Sequence, residues 1–200
     1  FGYSITAGKR PFFQERYVKS VEEKKLIARS QKMTFEAIEM VRGIIASSKV
    51  SAGKLVLGGK ALTSEILRAK VDVFLAERGF IAEDTIIASG IDACDPHCVG
   101  HGPIKAGTSI IVDVFPKSQE TRYFGDATRT FCKGHAPEAL KNLYATVKKG
   151  QKLALGMVKS GVVGNVIHGA VTDFFTQQGY PTREEKGRMV GFFHGTGHAI

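Results

Sequence analysis

No stretch of this 200-residue chain is long and apolar enough to span a bilayer, and its start lacks the charged-then-apolar pattern of a secretory signal. No membrane partner is expected. Cysteine is scarce, with three residues at Cys94, Cys98 and Cys132. An odd number at those spacings suggests no disulfide framework, so a reducing, cytoplasmic setting is the expectation. A block of consecutive basic residues is also missing. The formal charge of +9 invites a nucleic-acid reading, but Lys and Arg are interspersed with Glu along the chain. An RNA- or ribosome-associated module would need a continuous cationic face, so no nucleic-acid partner is expected. The Gly58-Gly59-Lys60 turn lacks the spacing of a phosphate-binding loop, and no Gly-x-Ser-x-Gly nucleophile elbow occurs.

What remains is ordinary for a soluble globular chain: 43% apolar and 24% charged residues. Two hundred residues suffice for one large domain or two small ones with a substantial core. Residues 1–19 are basic and aromatic without a period, and read as a linker or the tail of an upstream amino-terminal domain. Phe1 in place of an initiator methionine, and a dense Gly/His cluster just before Ile200, give the chain the look of a piece of something longer.

Ser20 and Glu23 form a capping box that opens a helix, carried by Leu26, Ile27, Met33, Ala37, Ile38, Val41, Ile44 and Ile45 to about Ser48. Residues 51–59 read as a loop. A second helix is expected from Thr63 or Ser64 to a stop at Gly79, then a strand over Thr85–Ser89. Residues 90–107 form a turn-rich loop. After Pro137, at a first helical position, one helical face is marked by Leu140, Leu143, Tyr144, Val147, Ala154 and Val158, with Gly150 off that face. A further helix over Asn165–Gln178 stops at Gly179; residues 182–188 read as a loop entering a strand at Met189–Phe193. The segment from Val71 to Phe80 echoes the one from Val171 to Tyr180. Two copies are too few for a solenoid, and suggest two related α+β halves.

The chain is organised around Ile110–Phe131. Two β-rich runs, Ser109–Phe115 and Arg122–Phe131, flank a polar segment and read as a hairpin. Each arm carries one aspartate among apolar neighbours, Asp113 and Asp126. With the loop centred near Gln119–Glu120 the two fall opposite each other, where Cβ atoms are about 5 Å apart. Carboxylates so placed repel and lose hydration, which a divalent cation would offset. A one-residue register slip would instead turn one of them to solvent.

His194 and His198 are four apart, but Gly195 and Gly197 argue against a helix. In an extended segment they would lie roughly 13 Å apart, so at most one binds the ion held by the aspartates. The other reading is a glycine-rich turn with two surface histidines. His97 follows Pro96 in a loop, either aimed by the constrained backbone or solvated. Cys94, His97, Cys98 and His101 raise a structural zinc site, although Cys-x3-Cys with interleaved His matches the usual zinc spacings poorly.

Together, Pro96-His97, Ile111 to Val114, the Gly125-Asp126-Ala127-Thr128-Arg129-Thr130-Phe131 run and His194-Gly195-Thr196-Gly197-His198 resemble the pita-bread metallopeptidases. That family includes Xaa-Pro aminopeptidases, prolidases, methionine aminopeptidases and creatinase; order and spacing agree from about Ser20 to Ile200, and the aspartate motif is closest to the Xaa-Pro-cleaving branch. The resemblance implies an α+β pita-bread fold, its first half complete and its second incomplete, with residues 20–200 as a partial catalytic domain. It implies hydrolysis of a bond between an amino-terminal residue and proline in a peptide substrate. Two divalent ions are expected, Mn²⁺ first, with Co²⁺ or Zn²⁺ as alternatives. Asp113 resembles the bidentate ligand of one ion, Asp126 the bridging ligand and His198 the imidazole ligand. His194 resembles a histidine lining the substrate site, and His97 one that steadies the reacting amide. The family's two glutamate ligands would fall beyond Ile200, so the 200 residues alone are expected to be inactive. A homodimer is compatible with the resemblance. A non-catalytic peptide- or protein-binding module and a creatinase-like hydrolase are the alternatives.

Overall fold

The structure, a computed structural model, describes residues 13–198. Residues 13–19 are largely exposed and hold one 3-10 turn, Gln14–Tyr17; the rest of the expected linker lies outside the described residues. Ser20 then caps helix α1 (Val21–Ser47) with the anticipated box: the Glu23 amide donates to the Ser20 hydroxyl at 3.2 Å, and the Ser20 amide to the Glu23 carboxylate at 2.7 Å. Strands β1 (Lys49–Ser51), β2 (Lys54–Leu57) and β3 (Lys60–Ala61) follow as an antiparallel meander. Thr63 caps α2 (Ser64–Ala76), and Gly79, at φ +76°, turns the chain into β4 (Phe80–Ile81) and β5 (Ile86–Ser89).

Beyond the 90–107 loop come β6 (Ile110–Val114), β7 (Lys117–Ser118) and β8 (Ala127–Phe131). Strands β5, β6 and β8 form an antiparallel sheet with β6 at its centre. Ile110, Val112 and Val114 of β6 are fully buried and meet Ala37, Ile38, Val41 and Ile45 of α1 and Leu67, Val71 and Leu75 of α2. Each such side chain contributes roughly 1.5–3 kcal/mol relative to exposure. Alternation along the strand therefore turns Ile111 and Asp113 to the opposite face, away from the helices. That second face carries the site.

The second half repeats the helix pair. Helix α3 (Glu138–Met157) packs on α4 (Gly164–Gln177), and β9 (Arg183–Glu185) pairs with β10 (Arg188–Val190). The echo between the halves is structural. Val71 and Leu75 are buried on α2, Val171 and Phe175 on α4, and each helix ends at a glycine of positive φ followed by an aromatic. Among the described residues the second half has no counterpart of the β5–β6–β8 sheet. No helix among them is long and apolar enough to cross a membrane.

Four expectations are corrected. Residues 51–59 are mostly strand: Ala52, Gly53, Gly58 and Gly59 occupy positive-φ turns, which lets short strands alternate and bury Leu55. The polar segment after β6 is not a free hairpin loop, because β7 pairs with β4 in the register Phe80↔Ser118. Residues 182–190 form a two-stranded hairpin, with the second strand ending at Val190 rather than Phe193. On α3, Leu143, Tyr144 and Val147 are exposed, as is Val158 just past its end, whereas Gly150 and Ala154 are buried. Gly150 belongs to the packed face: the Phe175 ring sits on it, and a Cβ there would lie 2.5 Å from Phe175 Cζ.

Candidate functional site

The aspartate strands are placed from beneath by α1. Gly125 lies so close to this helix that a Cβ would stand 2.5 Å from the Ser30 carbonyl oxygen. Only glycine permits that approach. Immediately after it, the Gln31 side chain holds the Asp126 backbone from both sides: Nε2 donates to the Asp126 carbonyl at 3.0 Å, and Oε1 accepts from the Asp126 amide at 3.1 Å. Ser30 donates to the Tyr123 carbonyl at 3.0 Å. The chain entering β8 is thus fixed before its carboxylate is presented.

The register of β6 and β8 pairs Asp113 with Thr128, not with Asp126. Asp126 comes two residues earlier and is a diagonal neighbour of Asp113, since the turn is centred between Glu120 and Thr121, one residue later than expected, and Lys117 bridges to Phe124 in that same register. Diagonal pairs sit typically about 7–8 Å apart, within reach of a shared ion but beyond direct contact. The residue opposite is useful in itself. Thr128 Oγ1 donates to Asp113 Oδ1 at 2.7 Å and fixes the rotamer of that carboxylate.

Asp113, Asp126 and Thr128 line a cavity of about 880 Å³ whose remaining wall includes His97, His194 and His198. His198 Nε2 lies 3.2 Å from Asp126 Oδ2. His97 and His194 face each other with ring centroids 5.6 Å apart and planes inclined at 60°. The five residues singled out in the sequence thus meet in one cavity: Asp126 and His198 in contact, Asp113 beside them, and the two other imidazoles together. A second hollow, about 710 Å³ between α1 and α2 near Phe35 and Phe74, contains no histidine or aspartate.

Burial raises the Asp113 carboxyl above its usual range. The Thr128 hydroxyl opposes that shift, the nearby Asp126 carboxylate adds to it, and His198 opposes it. Asp84 also lines the cavity, so three aspartates face it; carboxylate oxygens suit a hard divalent cation, and the His198 imidazole adds a nitrogen ligand. Asp113, Asp126 and His198 thus bring oxygen and nitrogen donors of the kind a divalent cation takes to one cavity.

Sequence reasoning missed three positioning residues. Gln31 and Ser30 lie where the apolar period of α1 lapses, between Ile27 and Met33, and that lapse was the available signal. The third is His168 on α4, whose Nδ1 lies 2.8 Å from Thr196 Oγ1 and whose ring stacks on Phe192 at 5.2 Å. It ties the His194–His198 segment to the second helix pair. Nothing in the local pattern around His168 pointed to that contact.

Two helices packed on one face of a three-stranded sheet, with a second helix pair in tandem, form the pita-bread architecture. The solved prolidase of Pyrococcus horikoshii superposes at a TM-score of 0.69 with 26% identity, over 83% of this chain and 44% of that one. The prolidase of Pyrococcus furiosus shares the fold at a TM-score of 0.71 and 23% identity, over 83% and 46% of the two chains. In sequence, the Xaa-Pro dipeptidase of Pyrococcus horikoshii is 27% identical over 188 residues, 92% of this chain and 47% of the relative. The model of metallopeptidase family M24 matches residues 25–200, and the chain belongs to that family. It spans about half the length of the curated relatives it matches.

Proposed function

We propose that this chain contributes the metal- and substrate-binding wall of a divalent-metal peptidase that hydrolyses the bond between an amino-terminal residue and proline. One observation carries the reading: Asp113, Asp126 and His198 share a cavity with the facing pair His97 and His194. Specificity for Xaa-Pro is supported by the Gly125–Phe131 motif and by the printed activity of relatives such as the Pyrococcus dipeptidases.

In this reading Asp113, Asp126 and His198 hold two divalent ions, Mn²⁺ foremost, with residues 20–200 as the corresponding part of the catalytic domain. Bound there, such ions supply an activated water and a Lewis acid for the scissile carbonyl. The chain's own groups do the rest. Thr128 keeps Asp113 Oδ1 in one orientation, and Gln31 does the same for the Asp126 backbone. His97 donates a hydrogen bond to the substrate carbonyl oxygen, where charge develops during attack. His194, packed against it, lines the subsite and restrains the His97 ring. Ile86, Phe115 and Phe124 give the cavity an apolar side suited to a pyrrolidine ring.

The test is hydrolysis of a Xaa-Pro dipeptide and a Xaa-Pro-Xaa tripeptide by the protein with any natural flanking sequence, after loading with Mn²⁺. Metal-dependent cleavage of either, lost in Asp126→Asn, is expected. Peptide binding without cleavage under every divalent ion would leave a binding module and end the peptidase reading.

A further inference from the structure

The loop that delivers His97 contains a second ligand cluster that the peptidase reading does not use. Asp92, Cys98 and His101 each offer one donor atom, and these atoms all lie within 4.8 Å of one another. His101 Nδ1 is 3.3 Å from Asp92 Oδ2 and 3.8 Å from Cys98 Sγ. Zinc–ligand bonds of about 2.0–2.3 Å at tetrahedral angles require nitrogen–oxygen and sulfur–nitrogen edges of about 3.3 and 3.6 Å. The two observed separations match two edges of such a tetrahedron, and the third, Asp92 to Cys98, closes the face within 4.8 Å.

We propose that Asp92, Cys98 and His101 form a mononuclear site for a zinc-class transition metal, bound through thiolate, imidazole Nδ1 and carboxylate. The proposal is independent of the peptidase reading and shares no residue with Asp113, Asp126 and His198. Its chemistry also differs, because a soft thiolate and an imidazole select zinc or cobalt over magnesium or calcium. His101 is exposed, which leaves the fourth position open to water.

The ligands are held before any ion arrives. Arg68 donates to the carbonyls of Val99 and Gly100 at 2.6 and 2.7 Å, and the Ile87 amide donates to the Val99 carbonyl at 3.1 Å. Gly100, at φ +84°, is pressed so closely on β5 that a Cβ would lie 2.7 Å from the Ile87 carbonyl carbon. The His101 amide donates to Asp92 Oδ2 at 2.9 Å, which closes the loop on itself. The segment between Cys98 and His101 therefore has little freedom to lose on binding. An ion here also fixes Cys98, the residue after His97, and so stiffens the backbone that aims His97 into the cavity.

The cluster lacks a second Cys pair, and Cys94 is not part of the trio. That is why cysteine spacing alone argued against zinc: the third ligand is Asp92, brought in by the 3-10 turn Asp92–Cys94.

The experiment is titration of metal-free protein, with any natural flanking sequence, by Co²⁺ alone. A thiolate-to-cobalt charge-transfer band in the near ultraviolet is expected to rise to a plateau whose amplitude corresponds to one thiolate-bound Co²⁺ per chain. It should vanish in Cys98→Ser and persist in Cys94→Ser and Asp126→Asn. In His101→Ala, Zn²⁺ affinity measured against a chromophoric chelator should fall about tenfold or more. Absence of the band in the unaltered protein, or its survival in Cys98→Ser, would overturn the proposal. So would unchanged Zn²⁺ affinity in His101→Ala.

Discussion

Gln31 and Asp126 are joined by a two-way amide clamp, helix side chain to strand backbone, at 3.0 and 3.1 Å. The carboxylate of Asp126 is therefore positioned by a residue that never reaches the cavity. Gln31→Leu leaves the Asp126 amide and carbonyl without these partners, at a cost of about 1–2 kcal/mol in stability. The same variant should weaken divalent-metal affinity about tenfold, as loss of a ligand's supporting contact does. Isothermal titration with Mn²⁺ and urea unfolding measure the two effects. An unchanged Mn²⁺ affinity would show that the clamp serves folding alone.

His97→Ala should separate metal binding from turnover. The side chain faces His194 across the cavity, and Asp113, Asp126 and His198 stand apart from that pair as the proposed ligand set. Metal content measured by atomic emission should stay near that of the unaltered protein. The rate constant kcat should drop about a hundredfold or more, the scale seen on removing a donor to a developing oxyanion. Loss of bound metal on this substitution contradicts the assignment.

Glu65 gives an acid-side prediction. Its carboxyl is held down at about 2, chiefly by the Gly102 amide that donates to it at 2.8 Å and further by the Thr63 side chain. A depressed folded-state value means that the stabilisation is present above the unfolded-state value near 4.5 and is lost as pH falls toward 2. The group is exposed, and screening reduces its worth to roughly 1 kcal/mol. Comparison of unfolding midpoints at pH 7 and pH 3 should show a smaller decline in Glu65→Gln than in the unaltered protein. Equal declines would remove Glu65 from the acid sensitivity.

Gly150→Ala tests the packing of the second helix pair. Alanine gains about 1 kcal/mol of helix propensity over glycine. Against that, the new methyl lies 2.5 Å from the buried Phe175 ring, and overpacking costs typically about 1–3 kcal/mol. Net destabilisation is expected, relieved when Phe175→Leu is added. A Gly150→Ala protein more stable than the original would mean that the ring moves aside freely.

Much of this architecture was legible because local chemistry and tertiary packing agree. The Ser20–Glu23 box, the Thr63 cap and the alternation Ile110, Val112, Val114 each dictate their element without help from elsewhere. Four of the five cavity residues stood out as aspartates within apolar runs and histidines among glycines; His97 stood out only through the resemblance of Pro96-His97 to the family motif. Two kinds of feature were hidden. One is register: Asp113 pairs with Thr128 because the turn is centred between Glu120 and Thr121, a one-residue shift that the composition of a polar loop does not reveal. The other is burial by a partner. Gly150 reads as a flaw in a helical face until Phe175, from another helix, is seen lying on it.

Central strand β6 divides its residues between two tasks, with Ile110, Val112 and Val114 packed under the helices and Asp113 turned to the cavity. Gain or loss of a single residue inside this strand would exchange the two sets, driving a carboxylate into the core and valines into the pocket. Such a variant would fail to fold, so it could not survive as an inactive but stable protein. Drift in length is therefore disfavoured within β6 and confined to its ends, so selection for stability alone holds Asp113 at the cavity face, whatever the cavity binds.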